Sequence, residues 1–216
     1  MVREMMKPEN VLAALKKARL SELEKEEKKE KKRVREEEEV VELKKVKKEK
    51  VVRTFFSRSK DADMKLLSNF EGGELEYKKG VKAQSVESAF QAEKYLCLVG
   101  GPKDALYRSV LSMDAKAAKT AGGKGAMKKH KVQLDVAKWN TCSFALMEQL
   151  VDAKVKSNPK VAEVLTKCGK EGVFLQHISA RNSDKIWAGE ANGLGRIYMN
   201  HPIYLDAEEA AAKDNN

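Results

Sequence analysis

The sequence predicts an α+β protein, mainly helical with a few short strands, in which one domain follows a charged arm. About three-quarters of the positions from Ser21 to Lys50 are Glu, Lys or Arg, and this bias ends abruptly at Val51. Beyond that point apolar residues recur mostly at helical spacing, whereas runs typical of strands are short. We therefore predict an arm over residues 1–50, a domain over 51–205 and a short tail over 206–216.

The arm is rich in Glu and Lys pairs at i, i+4 spacing, which support a helix in water. Its apolar residues are sparse and do not sustain a heptad, so a coiled coil is not indicated. We expect a solvated helix or a disordered segment. A basic tether for RNA or DNA is the alternative.

Three segments of the domain read as strands because they are β-branched, aromatic or alternating: Val51–Phe56, Glu74–Tyr77 and Gly172–Ile178. Helix boundaries are marked by capping residues. Ser85 is a plausible N-cap for a helix through about Leu98, and Asn158 precedes Pro159 at the start of another that Gly169 ends. Further helices are predicted over 139–156 and 194–199, with a fraying tail after residue 206.

The formal net charge of +10 favours polyanionic partners such as nucleic acid or phosphorylated ligands. The three cysteines are odd in number and widely spaced, as expected for a reduced intracellular protein. We predict no metal, no cofactor and no membrane span, because zinc motifs and long apolar runs are lacking. The cytosol is the expected location, with the nucleus open; oligomeric state is not indicated.

A first group of candidate site residues lies on the helix that Ser85 opens. Glu87, Gln91 and Lys94 stand at i, i+4 and i+7, so they share one stripe. The helix dipole stabilises a carboxylate in the first turn. Such a stripe can orient a polyhydroxylated ligand in a cleft; a solvated Glu–Lys pair is the plainer alternative.

A second group follows near the C-terminus. Asp184 and Trp187 are three apart on a glycine-rich turn, where Trp offers a stacking face for a base or simply fills the core. Asn192 and Gly195 open a helix whose N-terminus can receive phosphate oxygens. Carboxylates from two segments are the usual equipment for glycosidic cleavage.

The basic run over residues 122–131 lacks the spacing of a P-loop. We predict a flexible loop there. It either contacts the phosphate groups of a ligand or a nucleic-acid backbone, or is merely solvated.

The strings F-F-S…L-S-N-F, S-V-E-S-A-F-Q-A-E-K-Y and D-K-I-W-A-G…N-G-L-G-R are similar in order and spacing to the NADAR (YbiA-like) family over about residues 55–200. The resemblance implies an N-glycosidase. Some family members cleave phosphoribosylated amino-pyrimidine intermediates of riboflavin synthesis, and others remove ADP-ribose from guanine in nucleic acid. The family usually has His where this chain has Ser88, and its late glycine-rich loop is longer, which bears on substrate choice.

The resemblance matches Glu87 to the family's central catalytic Glu, Asp184 to its late Asp and Trp187 to the Trp that follows. We expect Glu87, Lys94 and Asp184 to be catalytic, with Lys94 forming a Schiff base. The predicted ligand-binding residues are Ser57, Asn69, Phe70, Gln91, Trp139, Trp187, Asn192 and Gly195.

The expected substrate and partner is ADP-ribose on guanine, in a nucleotide or in nucleic acid. Riboflavin intermediates are the alternative substrate. In two further alternatives the protein is not an enzyme. It is either a non-catalytic reader that binds ADP-ribose or a nucleic-acid binder that acts through the arm.

Overall fold

The computed structural model describes residues 51–179 and 186–214. The predicted arm and Asp184 lie outside these ranges, and the division of the chain at residue 50 stays a prediction. The strands are β1 (Val52–Phe55), β2 (Leu75–Lys78), β3 (Val81–Ala83) and β4 (Phe174–His177). The helices are α1 (Ala62–Leu66), α2 (Val86–Glu93), α3 (Asp104–Leu111), α4 (Ala115–Ala121), α5 (Lys124–Lys129), α6 (Val136–Ser157), α7 (Pro159–Lys170), α8 (Gly193–Met199) and α9 (Pro202–Asp214).

The described strands form two sheets of two strands each. β1 pairs in parallel with β4, which places Phe55 beside His177, and β2 pairs with β3 in an antiparallel hairpin. Gly80 adopts a positive φ of 75° in the hairpin turn, a conformation that suits glycine. Because two strands cannot bury a large apolar face, most of the core lies between helices. The prediction of a mainly helical α+β fold is confirmed.

Helix α2 is the buried centre of the fold. All eight of its residues are buried, and it contacts α3, α4 and α6. Its start is fixed as predicted: the Ser85 side chain accepts the Ser88 N–H, and the Ser88 hydroxyl accepts the Ser85 N–H. Since the helix is buried all round, its polar side chains need partners inside the protein.

Several boundaries differ from the sequence prediction. The helix that Ser85 opens ends at Glu93, and a 3-10 turn over Lys94–Leu96 replaces its last turn. The basic run, predicted as a loop, contains helix α5. The buried side chain of Met127 anchors this helix to the domain. The tail predicted to fray is helical to Asp214, since α9 packs along α7 and buries Tyr204 and Ala207. The start of α7 is as predicted, because the Asn158 side chain accepts the Lys160 N–H.

Helices α3 and α4 were not predicted. The carboxylate of Asp114 caps α4 by accepting the N–H groups of Lys116 and Ala117. Helix α4 packs on α2 and thereby brings its own lysines beside the polar stripe of α2. Within residues 51–179 and 186–214, no helix combines the length and apolar character that crossing a bilayer demands.

Candidate active site

A cleft of about 900 Å³ opens along the polar stripe of α2. Separate segments of the chain form its walls: the segments after β1 and α1, helices α2 and α4, the first half of α6, and the residues around β4 and Trp187. The cleft brings together most of the predicted site residues, namely Ser57, Asn69, Phe70, Glu87, Gln91, Lys94, Trp139 and Trp187.

Three polar side chains of the α2 region form a continuous hydrogen-bonded chain. Gln91 Nε2 donates to Glu87 Oε1 at 2.8 Å, and Lys94 Nζ donates to Gln91 Oε1 at 2.7 Å. Glu87 is 4 % exposed, so the alternative of a solvated Glu–Lys pair does not hold. The chain holds the Lys94 amine and the Glu87 carboxylate in one network, with the Gln91 amide between them.

Lys94 is partly buried in the wall of the cleft. Burial lowers the pKa of Lys94 below its usual value, the positive charge of Lys119 acts in the same direction, and the charge of Glu87 opposes both. Nζ lies 5.7 Å from the centroid of the Trp139 ring. A lowered pKa raises the fraction of neutral amine, which is the nucleophilic form.

Gly122, the C-cap of helix α4, fits closely against the hydrogen-bonded side chains of Gln91 and Lys94. The Gly122 carbonyl lies 3.4 Å from Lys94 Nζ, and a Cβ at this position would come within 2.0 Å of Gln91 Oε1. Any larger residue would therefore displace the Gln91 amide from between Glu87 and Lys94.

Lys119 also lines the cleft, although the sequence did not predict it as a site residue. Its Nζ lies 3.4 Å from Glu87 Oε1 and 5.2 Å from the centroid of the Phe70 ring. Lys116, Lys119 and Thr120 share one face of α4 through i, i+3, i+4 spacing, and all three line the cleft. That spacing was visible in the sequence, but the packing of α4 on α2 was not.

Replacing Lys119 with methionine is expected to raise the pKa of Lys94, because a neighbouring positive charge is removed. The half-point of Lys94 labelling by an amine-reactive reagent, followed by peptide mass spectrometry across a pH series, should move upward by up to about one pH unit. Glu87→Gln should move it downward, and Lys213→Met, on an exposed side chain, should leave it in place. A downward shift in Lys119→Met would contradict this electrostatic account.

The predicted S-N-F segment supports the start of α2. The Asn69 carbonyl accepts the Glu87 N–H at 3.0 Å, and Asn69 Nδ2 lies 3.6 Å from Met147 Sδ. Asn69 Oδ1 is buried and has no hydrogen-bond partner among the described residues. A buried acceptor of this kind, on the wall of a cleft, is suited to a ligand hydroxyl or amine.

A cluster of aromatic rings adjoins the polar side chains of the cleft. Phe90 meets Trp139 edge-on at 4.9 Å and Trp187 edge-on at 5.6 Å, measured between ring centroids. Phe144 stacks on Trp187 at 5.7 Å with an interplanar angle of 14°. Trp187 packs on the core and also lines the cleft, so the two interpretations of this residue are compatible.

Asn192 and Gly195 do not line the cleft. The Asn192 side chain accepts the His177 N–H and donates to the Leu175 carbonyl, each at 2.8 Å. A Cβ on Gly195 would come within 2.3 Å of that same carbonyl. The structure therefore places both residues against β4 and gives them a packing role, whereas the sequence placed them at a ligand phosphate.

Among solved structures, the fold is similar to that of the E. coli protein YbiA, determined by NMR. The TM-score is 0.52 at 17% sequence identity, and the match covers 76% of this chain and 87% of that chain. The fold is YbiA-like. Neither the protein-family models nor the curated proteins give a match to this sequence. The YbiA-like fold confirms the predicted fold class.

Proposed function

We propose that this chain is an N-glycosidase that hydrolyses the bond between ribose C1′ and an amino nitrogen, removing ADP-ribose from guanine in DNA or RNA. The observation that carries the proposal is the partly buried Lys94 amine, hydrogen-bonded through Gln91 to Glu87 on the wall of a large cleft. The motif resemblance to NADAR proteins and the YbiA-like fold support the same reaction class.

In the proposed mechanism the ribose ring opens at the aminal: the C1′–O4′ bond breaks, the proton of the amino nitrogen passes to O4′, and C1′ becomes an imine with the guanine amino nitrogen. The neutral Lys94 Nζ adds to C1′, the guanine amine leaves, and a Schiff base remains on Lys94. Nζ loses two protons in these steps, and Glu87 carries each in turn to the departing nitrogen, which leaves as an amine. Water then hydrolyses the Schiff base, which releases the sugar and restores the lysine.

The lining of the cleft suits a substrate that combines phosphate with a base. Arg58, Lys116 and Lys119 supply positive charge for phosphate oxygens, and Trp139 and Trp187 supply ring surface for a base. We propose from the motif resemblance alone that Asp184 holds the ribose or the attacking water.

The deciding experiment presents the full chain with an ADP-ribosylated guanine oligonucleotide and, separately, with the phosphoribosylated amino-pyrimidine intermediate of riboflavin synthesis. Release of ADP-ribose from the first supports the proposal. Consumption of the second alone would favour the alternative substrate. Binding of the oligonucleotide without turnover would favour a non-catalytic reader.

Glu87→Gln is expected to lower turnover by about two to four orders of magnitude, since the amide cannot shuttle a proton. Binding of the oligonucleotide should persist, because the isosteric amide keeps the shape of the cleft.

Deleting residues 1–50 serves as the control for the arm: the proposal requires the remaining chain to stay active. Loss of all activity in that deletion, with the fold intact by circular dichroism, would favour the nucleic-acid binder.

A further inference from the structure

Two cysteines lie next to each other, close to residues of the candidate site. The Sγ atoms of Cys97 and Cys142 are 4.0 Å apart, although 45 positions separate these residues in the chain. Cys97 follows the 3-10 turn and is 7 % exposed, whereas Cys142 lies on α6 and is half-buried. Cys97 is also held to the start of α6, because its carbonyl accepts the Asp135 N–H at 2.9 Å.

Each of these cysteines forms a hydrogen bond with a residue of the cleft that lies one helical turn earlier in the chain. The Cys97 N–H donates to the Lys94 carbonyl at 3.0 Å, and the Cys142 thiol donates to the Trp139 carbonyl at 3.5 Å. Lys94 Nζ and the Trp139 ring face each other in the cleft. Each cysteine therefore lies one helical turn from a residue that lines the cleft.

We propose that Cys97 and Cys142 form a reversible disulfide and that this bond changes the surroundings of Trp139. The sulfur atoms must approach each other by about 2 Å to reach bonding distance, a movement that side-chain rotation and a small shift of α6 can supply. On bonding, Cys142 loses the hydrogen with which its thiol contacts the Trp139 carbonyl.

The oxidant we propose is a peroxide. The partly exposed Cys142 sulfur attacks a peroxide oxygen, the O–O bond breaks, and a sulfenic acid and one water form. The Cys97 sulfur then attacks the Cys142 sulfur, the S–O bond breaks, and the departing hydroxide takes the Cys97 proton to leave as a second water. Two thiols and one hydrogen peroxide thus give one disulfide and two waters, and a thiol reductant reverses the step.

The test uses the full-length reduced protein treated with hydrogen peroxide and then with an alkylating reagent. After alkylation in denaturant the oxidised protein should carry one alkyl group where the reduced protein carries three, and peptide mapping should join the Cys97 and Cys142 peptides. Cys97→Ser and Cys142→Ser should each abolish this species, whereas Cys168→Ser should retain it. Dithiothreitol should restore the two thiols.

Tryptophan fluorescence tests whether the disulfide changes the surroundings of Trp139. The chain has two tryptophans, so Trp187→Phe leaves Trp139 as the reporter. Its emission should change on oxidation and recover on reduction, and the change should be lost in Trp187→Phe/Cys142→Ser. A disulfide through Cys168, no disulfide at all, or unchanged emission after full oxidation would overturn the proposal. These measurements use no substrate, so their outcome does not depend on the proposed activity.

Discussion

Lys94→Ala is expected to lower release of ADP-ribose by at least about a thousandfold, because the covalent route through the lysine is lost. In the wild-type protein, borohydride added during turnover should reduce the Schiff base to a stable amine. Peptide mass spectrometry should then find the sugar adduct on Lys94, and Lys94→Ala should show no adduct.

Removal of a buried side chain can also disturb packing, so Lys94→Met is the matched variant that keeps most of the apolar stem. It should be as inactive as Lys94→Ala while unfolding at a temperature close to that of the wild type. Lys213→Ala removes an exposed amine of α9 and should leave turnover and trapping unchanged. Full activity in Lys94→Met, with no trapped adduct in the wild type, would refute the lysine mechanism.

The stability of the fold is expected to rise with pH above neutrality because of Lys154. Its Nζ donates to the Ser68 carbonyl at 2.6 Å, and the side chain is 2 % exposed. Burial lowers the pKa of Lys154 from the usual 10.5 to about 7, and the charge of Glu71 opposes the shift. Between these two values the unfolded chain binds more protons than the folded one, so the free energy of unfolding increases as pH rises.

Lys154→Met should remove this dependence. Between about pH 7 and about pH 9.5, the wild type should gain roughly 3 kcal/mol more in the free energy of unfolding than the variant gains. The comparison ends there because burial raises the pKa of Cys168 to about 11 and also raises the pKa of Tyr198 and Tyr204, so these groups lower stability as pH rises further.

Denaturant unfolding at each pH measures the difference, and subtracting the variant cancels the groups that both proteins share. Lys156→Met, two positions along α6 on an exposed side chain, is the control that should keep the wild-type slope. Equal slopes in the wild type and Lys154→Met would show that the buried amine titrates as it does in the unfolded chain. The result also concerns the site, since Lys154 holds the segment that carries Asn69.

The sequence was informative where a residue's role depends on its near neighbours. The capping of α2 by Ser85 and of α7 by Asn158 is local chemistry within four residues, and both starts are confirmed. The stripe of Glu87, Gln91 and Lys94 follows from helical spacing and is present as a hydrogen-bonded chain. Boundaries that depend on packing, such as the extent of α9, were wrong because apolar burial against α7 outweighs the local tendency to fray.

The sequence by itself determined the mainly helical fold class and the polar stripe on α2, since both arise from spacing of a few residues. Only the tertiary structure decided which residues meet that stripe. Lys119 reaches Glu87 because α4 packs on α2, and Asn192 turns away from the cleft because its amide bonds to the backbone of β4. Contacts between residues far apart in the chain depend on how whole helices pack, and the local spacing of residues does not specify that packing.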